Sequence, residues 1–143
     1  MRFPVWSANA QSSTQRSAYR KATATVELAV CLPLLSLLVF AALEGANMMF
    51  LRQAVVQAAY ETAKSAAKSN GDQATATTLG TQVLAARGVT SPTISFSPNN
   101  VANLSRGQAF TVTVAVPGDS RSITGIGPFN GLTIDAQATM LKE

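Results

Sequence analysis

A chain of 143 residues has room for one domain and an anchor, and its formal net charge of +4 takes its meaning from where the charges lie. Arg2, Arg16, Arg20 and Lys21 occupy the first 21 residues without an acid, whereas beyond them seven bases meet seven acids. A nucleic-acid binder carries its basic surface on the folded domain, so this distribution argues against one. The chain has no histidine and one cysteine, Cys31, which excludes an intrachain disulfide and a Cys/His metal site and removes the commonest general base.

Residues 1–21 are rich in Ser, Gln and Arg, show no hydrophobic period, and read as a basic leader without regular structure. Leu28–Leu43 follows without a charge, 16 residues or roughly 24 Å of helix. Extended from Val26 to Phe50 the segment has 25 residues and about 37 Å, enough to cross a bilayer with tilt, and it then includes Glu44. Three other readings fit less well. A buried core helix would need more surrounding chain than exists. A cleaved secretory signal is interrupted by Glu44 where small residues should follow. A lipoprotein signal would place its apolar run before Cys31, not after it. The bases on the N-terminal side orient the span with its N-terminus in the cytoplasm. Pro33, in the first third, is tolerated in a membrane helix where the freed carbonyl finds another partner.

Helix-forming residues continue over Arg52–Ser69, where Val55, Ala59, Thr62 and Ala66 form a narrow stripe. Such a stripe admits another helix closely, or rests on the chain's own domain. Asn70-Gly71 stops the helix, and Asp72 can cap a second one reaching about Ala86. Beyond Gly88 the period becomes two. Strands are expected at Thr93–Ser97, Phe110–Val116 and Leu132–Met140, each apolar on one side and polar on the other. An antiparallel sheet with one wet face fits that alternation, and the helix leaving the membrane is its natural cover. Gly125-Ile126-Gly127-Pro128 lacks the following helix of a phosphate cradle. Glu27 and Glu44 are 17 residues apart, roughly 25 Å of helix and too far to act on one substrate. The residues thus point to a structural protein and not to an enzyme, with no cofactor, metal, nucleic acid or small-molecule substrate.

Arg20-Lys21-Ala22-Thr23-Ala24-Thr25-Val26-Glu27-Leu28-Ala29-Val30, followed by Leu32-Pro33-Leu34-Leu35, resembles the start of TadE-like proteins of the Tad/Flp pilus-assembly system. Leu43-Glu44-Gly45-Ala46 is similar to that family's second acidic motif, and Arg52-Gln53-Ala54 with Ala58–Ala63 to the stretch that follows it. The likeness covers about residues 20–67. It implies a minor, pseudopilin-like component of a type IVc pilus apparatus in the bacterial inner membrane, its C-terminal domain exported. Its partners would be the lipid bilayer, other pilins or pseudopilins, Tad inner-membrane components and a prepilin-type peptidase. Carried onto this chain, cleavage falls between Ala22 and Thr23 and leaves Glu27 as the fifth mature residue. Ala22 stands where the family has Gly, and Leu28 where an aromatic is usual.

Glu27 would then lie four residues from a new cationic amine, neutralise the amine of a neighbouring subunit, or simply sit in a first turn at the interface. Glu27, Pro33 and Glu44 are the expected assembly residues of the membrane helix. Glu44 at depth would cost about 2–3 kcal/mol unless it reached the headgroups or a partner. The domains expected are a cytoplasmic leader over 1–22, a transmembrane helix over 23–50 and an exported domain over 51–143. The fold class is α+β: the long helix runs into a pilin-like domain with a second short helix and a three-stranded antiparallel sheet. An unprocessed membrane-anchored adaptor for an envelope or secretion complex is the alternative.

Overall fold

The computed structural model describes residues 10–121 and 131–143. Helix α1 spans Ala10–Ala67 and α2 spans Gln73–Ala85; strands β1 (Thr93–Ser97), β2 (Ala109–Pro117) and β3 (Thr133–Leu141) follow, with short 3-10 turns at Val101–Asn103 and Gly118–Arg121. The expected α+β arrangement is present. The chain divides into two compact units, one ending at Ala42 and one running from Leu43 to Glu143.

Helix α1 begins at Ala10, inside the segment expected to lack regular structure. That expectation weighed the missing hydrophobic period. Yet Ala10, Gln11, Gln15, Arg16, Ala18, Arg20 and Lys21 are all good helix formers, and joining an existing helix avoids the cost of a new nucleus. The apolar pattern reports burial, not helicity.

In the second unit, β2 pairs antiparallel with β1 on one side and β3 on the other. The register aligns Phe96, Val112 and Ala138, and likewise Ile94, Val114 and Ala136, on one face. Phe110, Val112, Val114 and Val116 are all buried. Ser95, Thr113 and Gln137 align on the other face, where the Thr111 and Thr139 hydroxyls are 2.8 Å apart across the strands. The period-two alternation of β2 therefore marks a dry side and a wet side.

One hydrophobic cluster joins the dry side to α1. Val55, Ala59, Thr62 and Ala66, the stripe seen in the sequence, are buried together with Leu51, Ala54, Ala58, Ala63 and Ala67. The stripe thus serves the chain's own domain. Small side chains on the helix let its backbone lie close to a sheet that supplies the bulk as Phe and Val.

Helix α2 starts where Asp72 accepts a hydrogen bond from the Thr75 amide at 3.2 Å, and it buries Ala76, Gly80 and Leu84 at four-residue spacing. Gly80, a poor helix former, is explained by closeness. A Cβ there would lie 2.1 Å from Thr62 Oγ1 and 2.9 Å from Ile94 Cδ1. Gly71 has a similar reason, since a Cβ would come within 2.6 Å of the Ser65 and Ala66 carbonyls that end α1. The buried Thr62 hydroxyl has no hydrogen-bond partner among the described residues, so this crossing trades a hydrogen bond for proximity.

The chain's end closes the unit. The buried Lys142 donates from Nζ to the carbonyls of Ala66 (2.9 Å), Lys68 (2.8 Å) and Gly71 (3.4 Å). The Glu143 amide donates to the Ala67 carbonyl at 2.8 Å. The last carbonyls of a helix lack intrahelical partners and carry its negative pole, and a lysine answers both needs.

Val114→Asp places a charge on the buried face and should cost more than about 4 kcal/mol, whereas Thr113→Asp should be mild. Limited proteolysis of the two variants checks this, and equal sensitivity would contradict a single buried side. Lys142→Met keeps the aliphatic stem but orphans the α1 carbonyls, for an expected loss of about 1–3 kcal/mol. A urea midpoint unchanged from the parent protein would show that the carbonyls do not need the ammonium.

Candidate assembly site

Over Leu28–Phe40 helix α1 presents apolar side chains in every direction. From Leu28 to Phe40 the large hydrophobic residues are between 51% and 70% exposed, so no part of this segment is a core face. The described part of the helix is long and apolar enough to cross a membrane, with a mean hydropathy of 2.4 in its most apolar window. A helix suits that medium because its backbone groups satisfy each other where no water can. Pro33 lies inside α1, which continues through it. Its ring carries no N–H, so the carbonyl one turn earlier, at Ala29, loses its usual donor.

Ala22, Thr23 and Glu27 lie on consecutive turns of α1, and all three are exposed. Thr23 Oγ1 donates to the Tyr19 carbonyl and Thr25 Oγ1 to the Lys21 carbonyl, both at 2.9 Å. The helix thus absorbs its own hydroxyls, which lets two threonines sit at the edge of an apolar segment. The bond between Ala22 and Thr23 is helical backbone flanked by these two contacts. Glu27 follows Thr23 by four residues, so the two share a face.

Glu44 has different surroundings. It is 5% exposed and belongs to the unit that runs from Leu43 to Glu143. Of the residues expected to act together, Ala22, Thr23 and Glu27 form one exposed group, and Pro33 stands farther along the same apolar segment. Glu44 belongs to the other unit. Gly125-Ile126-Gly127-Pro128, considered and rejected as a phosphate cradle, lies outside the described residues.

Met48, Met49 and Arg52 of α1 and Leu132, Thr133 and Ile134 at the start of β3 line a cleft of about 290 Å³. Its walls are mostly apolar, with the Arg52 guanidinium as the one charged group, which suits packing better than catalysis. Sequence reasoning missed the role of Lys142. The signal available was a lysine just past an alternating strand, which topology alone brings to the end of α1.

Residues 22–64 match the family model of TadE-like protein. The match covers the exposed apolar segment, Glu44 and most of the α1 stretch that enters the core. No curated protein and no solved structure matches the chain.

Proposed function

We propose that this chain is a membrane-anchored structural subunit of a Tad/Flp-type (type IVc) pilus-assembly apparatus, of the minor pseudopilin kind. The observation that carries the reading is the TadE-like match over residues 22–64, which falls on the helix leading from the apolar segment into the domain. The basic residues before Ala22 hold the N-terminus in the cytoplasm, and the α+β domain stands outside the inner membrane. A prepilin-type peptidase cuts between Ala22 and Thr23. The new Thr23 amine is then neutralised by Glu27, of the same or a neighbouring subunit, which sets the axial position of the helix among pilin helices. The domain contributes a folded surface to that assembly and carries out no reaction.

The second reading, an unprocessed adaptor that stays in the bilayer, is favoured by one observation. Ala22 and Leu28 stand where the family has Gly and an aromatic residue. An Ala is small enough for a subsite that takes Gly, which leaves the first reading ahead.

N-terminal sequencing of the protein recovered from membranes separates the readings. Thr23 is expected for the processed subunit. Met1 would support the adaptor, and a start beyond Ala46 would mean a secreted domain and contradict both. Glu27→Ala should abolish or strongly reduce piliation while membrane insertion stays intact. Normal piliation in that variant would reduce Glu27 to an interface residue.

A further inference from the structure

The domain part of α1 has two faces: one is buried in the core, and the other stays exposed, with Met49 at the edge of the cleft beside β3. Opposite the buried residues Leu51, Ala54, Val55, Ala58 and Thr62 lie Ala46, Met49, Gln53, Val56 and Tyr60, all exposed. Met49 is 68%, Val56 50% and Tyr60 51% exposed, high values for large apolar groups on a folded domain. Their spacing alternates three and four residues, the a/d repeat of a coiled coil. The same spacing continues upstream in the sequence through Ala42, Val39, Leu35, Leu32 and Leu28, without a charge. It ends after Tyr60, because the next seam position, Ala63, turns into the core.

We propose that this face is a parallel coiled-coil seam and that its occupant is the same seam of a second copy of the chain. Three features select a copy. An a/d stripe is self-complementary when two identical helices run parallel about a twofold axis. Two copies inserted from the same side of a membrane are necessarily parallel; this point rests on the membrane-anchored reading above. Gln53 is the one amide in the seam. It carries both a donor and an acceptor, so two of them across the axis satisfy each other, and a buried polar residue at a single a position fixes register. The flanks agree: Arg52 and Lys64 border the seam without entering it, and Lys64 Nζ lies 5.9 Å from the centre of the Tyr60 ring, covering one side of that residue. A 3.5-residue repeat winds the pair left-handed.

The test uses the full chain with Cys31→Ser, expressed in a bacterium that has no other pilus components. Single cysteines are placed at Met49, Gln53 and Val56 on the seam and at the exposed Lys68 off it, and membranes are oxidised with copper phenanthroline. The seam cysteines should give a disulfide-linked homodimer and Lys68→Cys should not. Adding Val56→Asp should weaken dimerisation by about tenfold or more, since a charge enters the seam, while the exported domain keeps its protease resistance. A membrane-bound protein whose seam cysteines cross-link no better than Lys68→Cys would overturn the seam alone. So would a main product linked to a different protein. Failure to pellet with membranes after alkaline washing would overturn the anchored reading and the parallel seam with it.

Discussion

One helix presents two kinds of surface in succession. From Leu28 to Phe40, α1 exposes its large apolar side chains on all sides, a surface suited to hydrocarbon; from Leu43 onward it keeps one face in a protein core and the other exposed. No break in the helix marks the change. The rest of the fold depends on the second stretch, because the sheet alone has an apolar side that water would otherwise meet, and α1 is the long element that covers it. Removing that face from water contributes about 25 cal/mol for each Å² of apolar surface.

The packing divides labour between element types. The sheet supplies volume through Phe96, Phe110, Val112, Val114 and Val116, and the helix supplies closeness through Ala54, Ala58, Ala59, Ala63 and Ala66. Closeness also governs α2, where Gly80 meets Thr62 and costs helix propensity and a hydrogen bond in return for contact. Lys142 completes the arrangement by carrying the end of the chain back to the end of α1. The domain is therefore closed at the C-terminal end of α1.

Much of this was legible in the residues. The alternation in Thr93–Ser97 matches β1 at both ends, and the other two strands lie within a residue of their expected bounds at each end. The stripe from Val55 to Ala66 identified the covering face, although spacing alone left open whether a second helix or the sheet would occupy it. Three features were less legible, each for a physical reason. The helical start at Ala10 was hidden because hydrophobic period reports burial and the sequence of this segment shows no such period. The environment of Glu44 was hidden because a carboxylate between apolar residues looks alike in sequence whether lipid, headgroups or a folded domain surrounds it. The Lys142 contacts were hidden because they join residues more than 70 positions apart. For the candidate site, the TadE-like pattern over about residues 20–67 anticipated the matched segment 22–64, since its motifs are local and need no topology to be seen.

Hydrogen exchange on the full chain in lipid nanodiscs tests the central claim most directly, that the part of α1 beyond the apolar segment is the structural lid of the sheet. Residues that leave the core only when the whole domain opens share the slowest exchange. The amides of Leu51–Ala67 should exchange together with those of Phe110–Val116, at the rate of global unfolding. If the helix amides instead exchange orders of magnitude faster while β2 stays protected, the sheet is held by something other than α1, and the account fails at its base.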